Sequence, residues 1–579
     1  MDFLVSDIRH TEHRHGDDLL SAGLGLAGLR GVPVPFVQPM QPTPAELRRR
    51  AIQSGWKGIA DLGLLGGFGR IYGQVVSVSG QEFHAFAKIP GACQPHRVMA
   101  QVPDEFDPRT RCLVVTASPG SRGIYGGIAL AGAWGLTHGC AVAYTDKGAG
   151  TGYFDTATRT GTTLEGTRAV AGSAALEFDP GSVPGDAGVA VKHAHSTDQP
   201  EADWGRHVLQ AAHFGLAMLD RAFPEQAPFT PQNTRVIATG LSNGGGAVLQ
   251  AAGLDDTGLL DAVVALEPNV HMPGRGRALF DYVTEAALYM PSALTASAFA
   301  RVPLARAGGM TPPSWMERGR SLHGAGLLDG VTTSAQAESA AAQLHASGWR
   351  REVIATAAST PAFDIWRALG AGYASAYLRR PVGRMPCGFR YVAMQAGVPG
   401  PLDASTAAAW WADASGIPPG EGVSLIGGTD FSFDPNFSGE HGLRQLWTGD
   451  DAQAHALHEG VTALAVRLPR EHLPIWVLHG DEDGLLPPDF TSQPYIHWLE
   501  EAGRTPRYWQ VPHAQHFDAF LALPGFGDRY VPLLPYGYAA LDRTLDELTG
   551  KATLARLPTP QPRPRGAGAL RAAMLDLAP

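Results

Sequence analysis

Five short apolar segments restrict the fold of this 579-residue chain more than any other feature of its sequence. Each is nearly continuous in apolar residues and ends in Gly, Pro, Asp or Ser: RCLVVTASPG (111–120), GCAVAYTDKG (139–148), TRVIATGLS (234–242), LDAVVALEP (260–268) and LPIWVLHGD (473–481). Such runs are typical of strands that are buried on both faces of a parallel sheet. Helical patterns lie between several of them, for example over residues 204–223. The sequence therefore predicts an open, mostly parallel α/β sheet flanked by helices, with ligands binding at the carboxyl ends of its strands.

Weaker signals add elements around this sheet. Two alternating apolar runs meet at Ser79-Gly80 and predict an antiparallel hairpin over residues 71–90. Thr43-Pro44-Ala45-Glu46 forms a capping box with proline at the first helical position, so a helix is expected to begin there. After the last of the five apolar segments, residues 492–504 predict a helix and residues 507–512 a final strand.

One interval between predicted strands is far longer than the others. About 200 residues separate LDAVVALEP from LPIWVLHGD, and residues 332–349 and 359–380 within that interval have helical patterns. We interpret residues 270–448 as a large, mainly helical lid inserted between strands 6 and 7 of the sheet. The remaining divisions are an N-terminal extension (1–70), two parts of the core (71–269 and 449–556) and a Pro/Arg-rich tail (557–579) that is expected to be an extended arm.

Charge and composition argue against several classes of partner. The formal net charge is −10, so no basic field favours nucleic acid or an acidic membrane surface. No run of 18 apolar residues exists, so no transmembrane helix is expected. The four cysteines form no C-x-x-C pair, and Cys112 and Cys140 open apolar runs, where a thiol is expected to behave as a small buried hydrophobe.

The segment LLSAGLGLAGL (19–29) has the apolar character of a signal peptide. The residues before it are acidic and His-rich, and no A-x-A cleavage site follows, so we predict no export signal. This favours a cytoplasmic location over a secreted or periplasmic one, which would require a leader ahead of the printed start.

Residues Gly240-Leu241-Ser242-Asn243-Gly244 lie between an apolar run and the helix-like AVLQAAGL. A G-x-S-x-G between a strand and a helix is the pattern of a nucleophile elbow, in which a serine sits on a sharp, strained turn. The positions two before and two after such a serine must lack a Cβ. Gly245 and Gly246 would let the new helix pack close against the sheet. The alternative is a close-packed glycine turn that contains a serine by chance.

A nucleophile of this kind requires an acid that follows it in the chain and then a histidine. Asp483 lies just past the end of the predicted strand in LPIWVLHGD and is the preferred acid. Asp481 is expected to be a turn former and Glu482 to be solvated. Glu267, at the end of the strand in LDAVVALEP, is the alternative acid.

The histidine is expected shortly after the final strand, in HAQHFDAF. His516 is preferred, because a turn there can present its imidazole to both Ser242 and Asp483. His513 is the alternative, with the role of a loop histidine at the strand end as its other interpretation.

Two backbone N–H groups are needed to stabilise an oxyanion. Asn243, directly after the nucleophile, should supply one. The second should come from the loop TASPGSRGIYGG (116–127), with Ser118 or its immediate neighbours as candidates. In the same loop Arg122 could bind a substrate carboxylate, or be an ordinary surface arginine.

The pair His193 and His195 has the H-x-H spacing of metal ligands, and Glu201 and Asp203 follow it. A structured loop or a strand end is the preferred interpretation, so no metal site is predicted.

Several longer stretches together resemble the D-(−)-3-hydroxybutyrate oligomer hydrolases: DDLLSAGLGLAGLRG, VVTASPGSRGIYGGIALAGAWGLTHGCAVAYTDKGAGTGYFD, VKHAHSTDQPEADWGRHVLQA, TGLSNGGGAVLQAAG, LEPNVHMPG and MPCGFRYVA. The resemblance runs through nearly the whole chain. It implies an α/β-hydrolase fold and a serine esterase of the hydroxybutyrate-dimer hydrolase type, which converts short 3-hydroxybutyrate oligomers to monomers in polyhydroxybutyrate degradation. The nucleophile of that family corresponds to Ser242.

The mechanism expected from the triad is two-step acyl transfer, which needs no metal or organic cofactor and takes a small molecule as its partner. Two alternatives stay open. One is another short-chain esterase or a peptidase that uses the same triad. The other is a hydrolase-like scaffold that binds polyester or protein without chemistry.

Overall fold

A computed structural model describes residues 1–183, 188–305, 310–413, 416–552 and 558–577. Within these ranges the strands are, in chain order, β1 (Arg9–His13), β2 (Gly80–Ala87), β3 (His96–Pro103), β4 (Cys112–Ala117), β5 (Ala141–Thr145), β6 (Tyr153–Asp155), β7 (Thr160–Thr162), β8 (Arg168–Val170), β9 (Val189–Val191), β10 (Arg235–Leu241), β11 (Ala262–Leu266), β12 (Arg390–Gln395), β13 (Val398–Pro399), β14 (Val423–Ile426), β15 (Ile475–Gly480) and β16 (Arg507–Val511).

The helices of the same ranges are α1 (Gly25–Arg30), α2 (Pro44–Lys57), α3 (Ala133–Gly135), α4 (Lys192–His195), α5 (Pro200–Ala222), α6 (Asn243–Leu254), α7 (Leu279–Ala293), α8 (Pro313–Gly324), α9 (Thr333–Ala346), α10 (Arg351–Thr356), α11 (Ser359–Ala362), α12 (Ile365–Tyr377), α13 (Ala404–Asp413), α14 (Phe437–Thr448), α15 (Ala452–Thr462), α16 (Ser492–Glu501), α17 (Phe526–Arg529) and α18 (Leu534–Leu548). None of them is long and apolar enough to cross a bilayer.

A nine-stranded sheet in the order β1-β2-β3-β5-β4-β10-β11-β15-β16 is the centre of the molecule. Its first three strands pair antiparallel, and the six from β5 to β16 are parallel to one another. Helices α2 and α18 pack on one face, and α5, α6 and α16 on the other, each burying an apolar cluster. The predicted α/β sheet is confirmed, and its five apolar segments are β4, β5, β10, β11 and β15.

The predicted hairpin over residues 71–90 is wrong, because only its second half, β2, is a strand. β2 pairs instead with β1, in the register Arg9 opposite His84, and with β3. The first half has other partners, since the Val78 carbonyl accepts from Leu19 N at 2.8 Å and the Ser79 carbonyl from Asp104 N at 2.9 Å. Long-range pairing therefore replaces the local hairpin, and residues 1–70 contribute an edge strand to the sheet.

The capping box at Thr43 is confirmed. Thr43 Oγ1 accepts from Glu46 N, the Glu46 carboxylate accepts from Thr43 N, and α2 begins at Pro44.

The interval between β11 and β15 holds helices α7 to α15 and a small antiparallel sheet, β13-β12-β14, which the sequence did not predict. Its helices bury a common interior that includes Tyr282, Trp349 and Trp366. The same cluster contains Tyr153 and Ala194 from outside the interval, so the inserted helices pack directly onto the core. Because β1 adds an edge strand, the insertion falls between the seventh and eighth strands of the sheet in chain order.

Two further expectations are corrected. Cys112 and Cys140 are paired in a disulfide with Cα atoms 4.6 Å apart, because they lie one residue before Leu113 and Ala141, which are opposite each other in adjacent parallel strands. The described part of the C-terminal tail, 558–577, packs on the core, with Leu570 and Leu575 buried and Leu570 N donating to Leu65 O.

Candidate active site

Ser242 lies on a strained turn between β10 and α6. Its φ of 60° and ψ of −127° are a conformation that residues with a Cβ rarely adopt. The flanking glycines are required sterically: a Cβ at Gly240 would lie 2.5 Å from Gly244 O, and a Cβ at Gly244 would lie 2.3 Å from Ala117 O. The turn therefore has the geometry of a nucleophile elbow.

Gly245 and Gly246 allow α6 to lie close to the carboxyl end of β11 and to the residues just after it. A Cβ at Gly245 would lie 2.7 Å from Leu266 O, and one at Gly246 would lie 1.8 Å from Asn269 O. Both obstacles are backbone atoms, which cannot rotate away. The start of α6 consequently packs against the segment that follows β11 at a distance that only glycine allows.

Three buried side chains form a continuous hydrogen-bonded chain at the carboxyl ends of β10, β15 and β16. His516 Nε2 lies 3.0 Å from Ser242 Oγ, and His516 Nδ1 lies 2.7 Å from Asp483 Oδ2. With a proton on Nδ1, His516 donates to Asp483 and accepts from Ser242. This is the arrangement in which an imidazole can remove the proton of a serine hydroxyl.

Asp483 is held in place by its own turn. Its Oδ1 accepts from Leu485 N and Leu486 N, both at 2.8 Å, and His479 Nε2 lies 3.3 Å from Oδ2. Burial by itself would raise the pKa of Asp483, but His516 and His479 outweigh it and hold this pKa below its ordinary value. Asp483 is thus ionised and oriented toward His516.

The neighbouring acids contact other groups. Asp481 Oδ1 accepts from Gln510 Nε2 at 2.5 Å and lies 3.1 Å from the Arg350 guanidinium. The side chain of Glu482 is 15% exposed rather than solvated, and it lies 3.9 Å from the half-exposed ring of His513. In the described structure Asp481, Glu482 and His513 form no hydrogen bond with Ser242 or His516. His513 is therefore not placed as the alternative base would need to be.

Glu267 lies beside this hydrogen-bonded chain without joining it. It is 2% exposed, has a φ of 32°, and its Oε2 has no hydrogen-bond partner among the described residues. Burial, and then the charges of Asp483 and Asp518, raise the pKa of Glu267 well above its ordinary value. A protonated carboxyl cannot stabilise an imidazolium as an ionised one does, so the geometry favours Asp483.

The backbone donors near Ser242 differ in availability. The Asn243 amide is at the first position of α6, where no intrahelical partner exists, and no described acceptor bonds to it. The Ser118 amide donates to Thr145 O at 3.0 Å as part of the sheet, so it cannot serve as the second donor that the sequence suggested. Its neighbours Gly120 and Ser121 line the same cavity as Ser242, and their amides have no acceptor among the described residues.

A cavity of about 290 Å³ opens beside Ser242. Its walls are mainly apolar and come from both the core and the insertion: Leu279, Phe363, Ile365, Leu369, Tyr373, Ile417, Pro418, Leu485, Leu486, Phe517 and Phe520. This size is near the lower end of small-molecule sites, which suits a short apolar chain better than a polymer or a folded protein.

Arg122 lies at the edge of this cavity and is not an ordinary surface arginine. Its guanidinium is beside Gly58, at the C-terminal end of α2, and its Nε is buried with no partner among the described residues. Burial lowers the pKa of Arg122. No carboxylate of the described residues pairs with this guanidinium, so carboxylate binding by Arg122 stays a prediction.

The H-x-H pair is occupied by local contacts. His193 Nε2 lies 2.5 Å from Glu201 Oε1, and His195 Nδ1 accepts from Val191 N at 3.0 Å. Glu201 also binds Lys147, which in turn lies 2.6 Å from Asn243 Oδ1. Lys147 was not identified from the sequence, where it is one lysine in a polar turn after β5.

Comparisons with known proteins cover nearly the whole chain. Residues 4–578 match a family model described as 3HB-oligomer hydrolase (3HBOH). A D-(−)-3-hydroxybutyrate oligomer hydrolase of Paracidovorax citrulli is 37% identical over 97% of this chain and 89% of its own. Another, of Polaromonas naphthalenivorans, is 35% identical over 95% and 87%. An esterase structure from Aspergillus oryzae overlaps with a TM-score of 0.36 at 12% identity, over 76% of this chain and 74% of that one, a likeness too low to carry an argument.

Proposed function

Because this chain belongs to the 3HB-oligomer hydrolase family, we propose that it hydrolyses 3-hydroxybutyrate oligomers and dimers to the monomer through Ser242, His516 and Asp483. The observation that carries the catalytic part of the proposal is the hydrogen-bonded chain from Asp483 through His516 to Ser242, which ends at the apolar cavity.

The first half-reaction forms an acyl-enzyme. His516 Nε2 accepts the Ser242 proton as Oγ attacks the ester carbonyl carbon, and Asp483 stabilises the imidazolium. The amide of Asn243 and one amide of the 120–121 segment donate to the oxyanion of the tetrahedral intermediate. When the intermediate collapses, the ester C–O bond breaks, and the departing alcohol oxygen takes the proton from His516.

The second half-reaction reverses these roles with water. His516 removes a proton from water as its oxygen attacks the acyl carbon, and the second tetrahedral intermediate is held by the same amides. Its collapse breaks the bond to Ser242 Oγ, which regains the proton from His516, and releases a 3-hydroxy acid.

The cavity and Arg122 support a short substrate with a free acid end. A 3-hydroxybutyrate oligomer has apolar methyl and methylene groups along its length and one carboxylate at its end. The apolar walls can bury the former, while the Arg122 guanidinium, which pairs with no carboxylate of the described residues, would bind the latter.

The proposal is tested by incubating the protein with defined 3-hydroxybutyrate dimer, trimer and tetramer and separating the products. We expect monomer to accumulate with the native chain, and Ser242→Ala to lower the rate by roughly 10⁴-fold or more. Ser173→Ala, a change at an exposed serine, is the control and should retain the native rate.

Other results would assign the chain elsewhere. Cleavage of p-nitrophenyl butyrate or of peptides without cleavage of the oligomers would indicate a different esterase or a peptidase. A failure of a fluorophosphonate probe to label Ser242 in the folded protein would favour a scaffold without chemistry.

A further inference from the structure

A buried lysine lies directly behind the residue that follows the nucleophile. Lys147 is 1% exposed, and its ammonium donates to three oxygens: Glu201 Oε1, Asn243 Oδ1 at 2.6 Å and the Tyr373 hydroxyl at 3.0 Å. An ammonium has three N–H groups, so each has an acceptor. The ammonium also lies 4.7 Å from the Trp204 ring centre and 4.8 Å from that of Tyr373.

The three acceptors come from different parts of the molecule. Glu201 is in the first turn of α5, Asn243 is the first residue of α6, and Tyr373 is on α12 of the insertion. Lys147 itself follows β5. The Lys147 side chain therefore forms hydrogen bonds with the core, with the start of α6 and with the inserted helices.

The Asn243 side chain also lies against Gly120, in the 120–121 segment that is proposed to supply the second oxyanion donor. A Cβ at Gly120 would lie 3.2 Å from Asn243 Cβ and 3.3 Å from the Tyr373 hydroxyl. The backbone of Gly120 thus lies next to two of the three side chains that Lys147 binds. Any displacement of Asn243 would move its own amide and the support of the Gly120–Ser121 amides together.

The positive charge of Lys147 is balanced by the neighbouring carboxylate of Glu201. An effect of Lys147 on catalysis would therefore come from the position of Asn243 rather than from the charge itself. Burial lowers the pKa of Lys147, and Glu201 opposes that effect. Burial by itself would raise the pKa of Glu201, but the effects of His193 and Lys147 outweigh burial and lower this pKa. The ammonium and the carboxylate form a buried ion pair, so little net charge is left to act on the oxyanion.

We propose that Lys147 is a positioning residue for the oxyanion hole: its ammonium fixes the Asn243 side chain against Gly120 and Tyr373, so that the amides of both segments point to one place. This inference rests on the proposed acyl-transfer function and adds a residue to it. It makes the oxyanion hole depend on the insertion, because Tyr373 supplies one of the three acceptors.

The first test replaces Lys147 by methionine, which keeps most of the side-chain volume. We expect kcat on p-nitrophenyl butyrate and on the trimer to fall between about ten- and a hundredfold, with KM within about threefold, because the lost interaction acts on the transition state. Affinity for butylboronic acid, whose tetrahedral serine adduct places an oxygen in the oxyanion hole, should fall by a similar factor. Inhibition by the product 3-hydroxybutyrate should not change.

Coupling to Asn243 is measured by a double-mutant cycle. Asn243→Ala removes Oδ1 but keeps the backbone amide, and Lys147→Met with Asn243→Ala should be no slower than the slower single variant. Tyr373→Phe should lower kcat in the same direction by a smaller factor. An unchanged kcat for Tyr373→Phe would overturn the dependence on the insertion.

The matched control is Lys192→Met. Lys192 is also buried, at the start of α4, but in the described structure it forms no hydrogen bond with Glu201, Asn243 or Tyr373. The Lys192→Met variant should keep kcat within about twofold of the native value. If Lys147→Met does not fold because Glu201 loses the ammonium and keeps only His193 as a side-chain partner, Lys147→Met with Glu201→Gln removes both charges and carries the same expectations.

The outcomes separate this inference from the proposed function. A folded Lys147→Met protein with native kcat, or with equal losses of boronate and product affinity, would overturn the positioning role alone. If the native chain cleaved the p-nitrophenyl ester but no 3-hydroxybutyrate oligomer, the proposed substrate would fail, and the comparison of Lys147→Met with the native chain would still be decisive.

Discussion

The close approach of α6 to the segment after β11 predicts that Gly246→Ala damages catalysis although alanine is the better helix former. A Cβ at this position would lie 1.8 Å from Asn269 O, and it has to move away by more than 1 Å to reach the 3.0 Å that real contacts respect. Asn269 N donates to Ser242 O at 3.0 Å, so the obstacle is joined to the nucleophile turn itself.

Two opposing effects set the magnitude. Overpacking of this kind costs about 1–3 kcal/mol, and the gain in helix propensity from Gly to Ala offsets about 1 kcal/mol of that. The net loss of stability is therefore about 0–2 kcal/mol, which is less than the free energy of unfolding of an ordinary folded domain. Displacement of a catalytic group by about 1 Å, by contrast, can lower the rate about 100-fold.

The assay is kcat on p-nitrophenyl butyrate, together with the melting temperature to show that the variant is folded. Gly324→Ala is the matched control, since it replaces a glycine at the last position of α8 with nothing within 4 Å of the added Cβ. It should keep native kcat and melt at the same or a slightly higher temperature. A Gly246→Ala protein with native kcat and an unchanged melting temperature would refute the steric account of the third glycine.

Three further predictions concern the substrate, the insertion and the disulfide. Arg122→Gln should raise KM about tenfold or more for oligomers with a free carboxylate and not for their methyl esters, consistent with loss of a charged hydrogen bond; equal effects on both would contradict carboxylate binding. Burial, only partly opposed by Arg318, raises the pKa of Glu440 to about 7. The folded state therefore binds more protons than the unfolded state between the ordinary pKa of 4.5 and about 7, and the free energy of unfolding falls as pH rises through this window. Glu440→Gln should lose that part of the dependence, seen as a smaller difference in melting temperature between about pH 5 and pH 8, and an unchanged difference would count against it. Under oxidising conditions the denatured chain should show two reactive thiols before reduction and four after, since Cys112 and Cys140 are paired and Cys93 and Cys387 are free.

The strands that could be predicted from the sequence are those that are buried on both faces, because their own residues then have to be apolar. A strand covered by helices on both faces must be apolar throughout, so β4, β5, β10, β11 and β15 are visible in the sequence. β1 is five residues of mixed polarity, and its place opposite β2 depends on a partner about 70 residues away. Nothing local in the sequence distinguishes that pairing from the hairpin at Ser79-Gly80.

The proximity of Ser242, Asp483 and His516 was predictable for a similar reason. Parallel strands end at one edge of the sheet, so residues that follow β10, β15 and β16 must lie near one another. The same argument also places Glu267 there, after β11. Only the three-dimensional contacts separate the two acids: Asp483 faces His516 and accepts from two amides, whereas Glu267 is buried and no described residue bonds to its Oε2.

Availability of backbone groups could not be predicted in this way. Ser118 is in the loop from which the sequence predicts the second oxyanion donor, but its amide still takes part in the ladder between β4 and β5. The usable amides begin at Gly120, because residue 119 is a proline and has no N–H. A shift of two residues within one loop therefore changes which amide is free to donate a hydrogen bond.

Lys147 shows why a positioning residue is harder to find than a catalytic one. In the sequence it follows an aspartate in a glycine-rich turn at a strand end, a setting in which lysine is ordinarily exposed. It is buried because Trp204 and Tyr373 cover it, and Tyr373 is more than 200 residues away in the insertion. In the proposed mechanism the insertion therefore does more than line the cavity beside Ser242, since Tyr373 is one of the side chains that orient Asn243. It follows that changes in the insertion at Tyr373 should alter kcat, whereas changes confined to apolar cavity walls such as Phe363 should act mainly on KM.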